Sequence, residues 1–285
     1  MIITTEAHPC ACYLARSLKP SGAEISFINQ VSPTVQWGSW QYLKRLLKHR
    51  GPCVFLDNLS YRVFYEVKTI LVHMASFFRR GSKGQDSGEL KGEEPYNPSS
   101  GLPALPAFAS DPDLQEQAWL SWYDIDRVNS HAGRSLLTSI EADLCLLAGS
   151  PILNSSTIAS AGKICLNPHC GITPDYAGSD PIIWTLINSD WERIGFTIHH
   201  VVPQIDSGPL IHQERVRWSP RWPLRYIEHV VVQRMYDQIA QVSKDLLEGR
   251  TLPSMPQSVI QVRPPAGIFS RLYAVINKMI YARTT

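Results

Sequence analysis

The sequence predicts an α/β protein: a Rossmann-like, mostly parallel sheet flanked by helices, with a helical C-terminal extension. Three observations carry that prediction. Residues 1–5 (MIITT), 11–18 and 24–29 (EISFIN) read as strand, helix and strand, the βαβ order that a parallel sheet requires. The short apolar runs 143–147 (DLCLL) and 163–167 (KICLN) have the composition of strands buried on both faces. Residues 193–202 and 209–216 add two more strands, and residues 223–248 a long helix.

The remaining elements follow in chain order. The turn after the first strand lacks Gly-x-Gly-x-x-Gly, so a dinucleotide site finds no support there. Residues 40–50 form a basic, helix-prone segment, and residues 54–78 continue with helical propensity. Residues 81–105 are rich in Gly, Ser, Pro and charge, which predicts a flexible loop. A helix is expected around residues 135–142. We expect a catalytic domain over residues 1–216, with an insertion at about 81–105, and a helical extension over 217–285. In the tail, Ile268, Leu272, Val275, Ile276, Met279 and Ile280 recur at helical spacing alongside Arg271, Lys278 and Arg283. Such a stripe packs on the core, forms a homodimer, or lies on a membrane surface.

Composition excludes several classes. The chain has 285 residues with 27 Lys+Arg against 25 Asp+Glu, a net charge of +2 that gives no global reason to expect nucleic acid. At 44% hydrophobic and 18% charged it is ordinary globular material. The cysteines, at 10, 12, 53, 145, 165 and 170, include no Cys-x-x-Cys, so neither a zinc site nor a disulfide framework is indicated. The N-terminus lacks a secretory pattern, and the greasiest stretch, residues 62–78, contains Glu66, Lys68 and His73. A cytoplasmic protein with reduced thiols is expected.

The chemistry lies between residues 146 and 211. Asn167 and His169 are two apart at a strand end, so their side chains point the same way. Pro168 between them favours extended backbone. Gly171, Pro174 and Gly178 then stop regular structure, at the place where an α/β sheet presents ligand groups. Asp206 lies in a turn that follows another strand. An amide, an imidazole and a carboxylate suit acyl transfer: Asn167 and a protonated His169 as donors to an oxyanion, Asp206 to orient the imidazole and accept a proton through water. Asn-x-His and Asp-Ser-Gly are each common in turns, so neither motif is informative alone.

Their ordered combination is. Asn167-Pro-His169-Cys-Gly-Ile-Thr-Pro174, Tyr176-Ala-Gly178, Gly195-Phe-Thr-Ile-His199 and Ile205-Asp206-Ser-Gly208-Pro-Leu resemble the signature of the 10-formyltetrahydrofolate-dependent formyltransferases. The resemblance is concentrated in residues 143–214 and extends to residues 1–29, with little elsewhere. It implies the family's fold, with Asn167, His169 and Asp206 as the catalytic trio. It implies that 10-formyltetrahydrofolate binds as co-substrate between Gly149, Ser150, Pro151, Ile152 and Leu153 on one side and Val202, Gln204 and Ile205 on the other. No metal is implied, and His199 belongs to a structural strand of the pattern. Ala177 stands where many members have Arg, so a cation near that turn is expected to be missing. Cys170 fills a small-residue slot.

The acceptor is read by difference. The tRNA-modifying members carry a basic C-terminal β-barrel, whereas residues after 216 read as helical. The glycinamide ribonucleotide enzymes use a glycine-rich phosphate loop, whereas this chain has Thr4-Thr5-Glu6-Ala7-His8-Pro9. The hydrolases of the donor usually carry an N-terminal regulatory module, which is not expected here. The expectation is transfer to a primary amine of a small-molecule or carrier-linked acceptor, such as an amino sugar or a glycan or natural-product precursor. The alternatives are a formyltetrahydrofolate hydrolase and a catalytically silent folate-binding scaffold.

Overall fold

The computed structural model describes residues 1–5, 8–31, 56, 57, 59, 113–259 and 261–284. The segments read above at 40–50 and 81–105 lie outside these residues, as does 54–78 apart from 56, 57 and 59. A seven-stranded sheet runs in the order β3-β2-β1-β4-β5-β7-β8. Its strands are β1 (Ile2–Thr5), β2 (Ile25–Gln30), β3 (Leu120–Ile125), β4 (Leu144–Leu147), β5 (Ile164–His169), β7 (Gly195–His200) and β8 (Leu210–Arg215). Neighbours are parallel from β3 to β5, and β7 and β8 close the edge antiparallel. The mostly parallel sheet is thus as the sequence predicts. A two-residue strand β6 (Ala177–Gly178) pairs separately with β9 (Val262–Arg263).

Helices cover both faces, and strand parity decides which side chains meet them. Ile2, Phe27, Leu144, Leu146 and Leu166 face a core shared with α1 (Pro9–Leu18) and α5 (Leu224–Leu247). Ile3, Ile28, Cys145, Leu147 and Cys165 face the other core, with Leu137 of α2 (His131–Ile140) and residues around α3 (Ser155–Ser160). Every residue of β4 is buried, which explains its unbroken apolar sequence. The α5 face that packs inward, Ile227, Val231, Met235, Ile239 and Val242, repeats every three to four residues.

Local chemistry fixes the helix starts. The His8 ring accepts from the Cys10 N–H and Pro9 opens α1; Ser130 and Asn154 cap α2 and α3 by accepting from the Gly133 and Thr157 N–H groups. Beyond the sheet, α4 (Pro181–Ile187) supports the last helix, α6 (Ile268–Thr284), through a 2.8 Å bond from the Asn277 amide to the Leu186 carbonyl. The described cysteines are thiols rather than disulfides. No helix among the described residues is long and apolar enough to cross a membrane.

Candidate functional site

The site forms where β1, β4 and β5 end together. The strand order reverses between β1 and β4, and the two chain segments leaving these strands stay joined there by the Thr5 N–H to Gly149 carbonyl bond, 3.1 Å. Such a reversal opens a crevice at the carboxyl ends of the strands. β5 brings Asn167 and His169 to this edge. Its antiparallel pairing with β7 sets Asn167 opposite His199 and His169 opposite Thr197.

Asp206 closes the group from the loop between β7 and β8. The Asn167 amide donates to its Oδ1 at 3.3 Å, and His169 Nδ1 lies 3.4 Å from its Oδ2. The Gly178 N–H donates to the same Oδ2 at 2.8 Å. Asp206 has φ 50°, the left-handed region that Asp enters more readily than most residues. Its turn is tied down by Gln257, whose amide donates to the carbonyls of Asp206 and Gly208. Side-chain exposure is 9% for His169 and 10% for Asp206, so both polar groups are largely withdrawn from water yet partnered. Burial alone would raise the Asp206 pKa; His169, His199 and the Gly178 N–H outweigh it and hold the carboxyl at about 2.

His169 is fixed from behind as well. Its Nε2 lies 2.7 Å from the Tyr176 carbonyl, and because a carbonyl only accepts, Nε2 carries a proton. A side chain at Gly171 would strike this carbonyl at 2.3 Å and the imidazole at 2.8 Å, so the residue must be glycine. Gly178 has φ 97°, and a Cβ there would lie 2.3 Å from the Arg263 carbonyl in the β6–β9 pair. The sulfur of Cys170 contacts that of Met235, and burial raises its thiol to about 12, too high for a nucleophile at neutral pH.

Two cavities meet at the trio. The first, ≈ 170 Å³, is lined by Leu147, Ser150, Pro151, Ile152, Leu153, Val202, Gln204 and Ile205, and by Asn167, His199 and Asp206 at its polar end. The residues expected to hold the folate all line this slot except Gly149, which lines the second cavity. That cavity, ≈ 410 Å³, takes in His8, Gly149, His169, Cys170, Val232, Met235 and Tyr236. Asn167 and Asp206 belong to both walls. Asn129 braces the slot by donating to the Ile152 carbonyl and accepting from the Asn154 N–H. Among the described residues no group of three or more His, Cys, Asp or Glu side chains is placed to hold a metal ion.

Residues 109–236 match the family described as formyl transferase. Over that stretch the chain is similar to formyltransferases. A methionyl-tRNA formyltransferase of Staphylococcus epidermidis is 28% identical over 134 residues, 47% of this chain and 40% of that protein. One from Thermotoga maritima is 25% identical over 125 residues, 44% of this chain and 40% of its own length. The crystal structure of glycinamide ribonucleotide transformylase 1 from Symbiobacterium toebii superposes with a TM-score of 0.51 at 12% identity, covering 89% of this chain and 92% of that one, a likeness of fold. The matched part spans about 40% of the length of these curated relatives.

Within the matched stretch and around it, three residues stand at the site that the sequence did not single out for it. His199 Nε2 lies 3.2 Å from the Asn167 amide and 3.5 Å from Asp206 Oδ1, while its Nδ1 lies 2.8 Å from the His200 carbonyl. A carbonyl requires the proton on Nδ1, so the ring is anchored through that nitrogen and presents Nε2 to Asn167 and Asp206. The cross-strand register is the only signal for this, and it is not written locally. His8 lines the larger cavity, and burial lowers its pKa, favouring the neutral ring. Arg263 corrects the expectation of a missing cation near Ala177. It arrives from β9, beside Gly178, with its guanidinium 5.9 Å from the Tyr176 ring centroid and 5.6 Å from that of Trp184.

Proposed function

We propose that the chain transfers a formyl group from 10-formyltetrahydrofolate to a primary amine. The observation that carries this reading is the shared wall: Asn167 and Asp206 line both the apolar slot and the larger cavity, so a donor in one and an acceptor in the other meet at the trio. Leu147, Ile152, Leu153, Val202 and Ile205 suit the faces of a flat heteroaromatic ring, with Ser150 and Gln204 as polar groups on the wall and Asn167, His199 and Asp206 where reaction occurs.

In this reading the amine nitrogen attacks the formyl carbon, the carbon–N10 bond breaks, and the amine's proton ends on N10 of the departing tetrahydrofolate. The Asn167 amide is the donor to the oxyanion, a contribution worth about 10²–10³ in rate. Asp206, set between the two reactants, relays the proton through water. With a pKa of about 2 it is a weak base, so it is a transient carrier and above all the anchor of Asn167 and His169. His169, expected from the sequence to be a second oxyanion donor, has Nε2 on the Tyr176 carbonyl and Nδ1 beside Asp206, so in this reading it faces the acceptor cavity and orients the carboxylate instead.

The acceptor we propose is an amino sugar or a similar carrier-linked amine. The described residues lining the larger cavity include no Lys or Arg, which supports an uncharged body near the amine, with any phosphate held elsewhere. The test is incubation with formyl-labelled 10-formyltetrahydrofolate and a panel of amines that includes nucleotide-linked amino sugars. Label in a formamide is the expected result. Release of labelled formate without any amine would make the chain a hydrolase, and donor bound without turnover would make it a scaffold.

A further inference from the structure

Between α5 and α6 the chain carries Pro253, Pro256, Pro264 and Pro265, which deny this strap a helix. The strap lies outside the stretch 109–236 that matches the formyl transferase family, yet it holds the two turns that build the site. Met255 pairs with Leu210 through bonds of 2.7 and 2.9 Å, and the Gln257 amide donates to the Asp206 and Gly208 carbonyls at 3.0 and 2.6 Å. Val262 and Arg263 then pair with Ala177 and Gly178, the residue whose N–H donates to the Asp206 carboxylate. The Pro264 carbonyl accepts from the Trp184 indole at 2.8 Å. One strap thus touches both the turn of Asp206 and the turn that begins at Ala177.

The second of these turns is a wall of the larger cavity. Gly178, Ser179 and Pro181 line it together with Val262 of the strap. Asp180, between Ser179 and Pro181, has φ 51°, a left-handed backbone that a residue other than glycine keeps only where its surroundings hold it. Both of its carboxylate oxygens are held. The Ala266 N–H donates to Oδ2 at 2.8 Å, and Arg271, in the first turn of α6, donates through Nη2 to Oδ1 at 2.7 Å. Arg271 Nε also donates to the Ala266 carbonyl at 3.2 Å, so strap and helix grip Asp180 as one unit. Glu228 of α5 faces the same pair: burial raises its carboxyl, Arg271 lowers it and Asp180 raises it, so the guanidinium offsets two neighbouring carboxylates. Arg271 and the buried Lys278 lie on the inward side of α6. Phe269, Leu272, Tyr273, Ile276, Met279 and Ile280, on its outer face, are 46–63% exposed and lie outside the lining of the cavity.

We propose that this strap selects the acceptor: Val262 is a specificity-determining contact in the cavity wall, and Arg271 is a positioning residue that acts through Asp180 on the turn 178–181. The inference rests on the formyl-transfer reading, in which the larger cavity holds the amine. The test is steady-state kinetics of the full chain with 10-formyltetrahydrofolate and the nucleotide-linked amino sugar that wild type formylates fastest. Val262→Ala and Arg271→Met are each expected to raise the KM of the amine about tenfold, while kcat and the KM of the donor stay within about twofold. Arg271→Lys keeps a donor for Asp180 and should recover most of that loss. Val262→Ala removes no hydrogen bond of the strap, so it reads the wall even where Arg271→Met lowers the melting temperature. A merely structural role would lower kcat with both KM values unchanged, and that result overturns the proposal. Transfer with an unmoved amine KM in both variants also overturns it and leaves the formyl-transfer reading standing. Formylation of no amine by wild type overturns that reading and this inference with it.

Discussion

Around Asn167 polar side chains are buried and partnered, while along the outer face of α6 apolar side chains are exposed and the polar ones point inward. Each region inverts the usual distribution, and each is held in its inverted state by specific hydrogen bonds: Gly178, Tyr176 and Gln257 at the trio, Pro220 and Trp222 beneath α6. The comparison teaches where to expect an effect. Perturbing the buried polar group should change chemistry and acid stability together, whereas perturbing the exposed stripe should change neither.

The largest effects belong to the trio. His169→Ala or Asp206→Ala is expected to lower turnover by about 10³ or more while donor binding, measured by calorimetry, changes little. Near-native turnover in either variant would remove the assigned roles. His199→Phe keeps a ring and removes the contact to Asn167; a misplaced amide predicts a fall of roughly 10²-fold in kcat with little change in donor KM. An equal loss in donor affinity and no loss in kcat would assign His199 to the slot wall instead.

Stability comes next. The Asp206 carboxyl is held at about 2 against an ordinary 3.8, so the folded state favours its ionised form. A depressed carboxylate stabilises above its unfolded pKa, and that contribution disappears as pH falls from about 4 to about 2; its size is roughly 2 kcal/mol. Thermal melts across that window should show wild type losing stability more steeply than Asp206→Asn, and parallel curves would contradict the assignment. Gly178→Ala forces a strained φ and a clash with Arg263, costing about 1–3 kcal/mol with loss of the β6–β9 pair. The smallest effect is at α6, where L272E/I276E should stay within about 0.5 kcal/mol of wild type and turn over a soluble acceptor normally.

Much of this arrangement was legible in the residues. βαβ order, the buried runs at β4 and β5, and the strands at β7 and β8 carry strong periodic or compositional signals. β3 did not, because it lies at the sheet edge and buries only Leu120 of its six residues, so no apolar run marks it. α3 is short and polar, and α4 (PIIWTLI) is a continuous apolar run that periodicity cannot tell from a strand. At the site, Asn167, His169 and Asp206 stood out because their motifs recur in a fixed order. His199 and Arg263 did not, since their contacts depend on which residues the β5–β7 and β6–β9 registers set side by side.

Label transfer in a single turnover tests the joint placement of donor and acceptor most directly. With enzyme in excess over labelled 10-formyltetrahydrofolate and a reactive amine, wild type should move the label into a formamide, and Asp206→Asn should bind the donor yet leave the label on it. Equal transfer by both proteins would show that the shared wall between the two cavities is not where the formyl group changes hands.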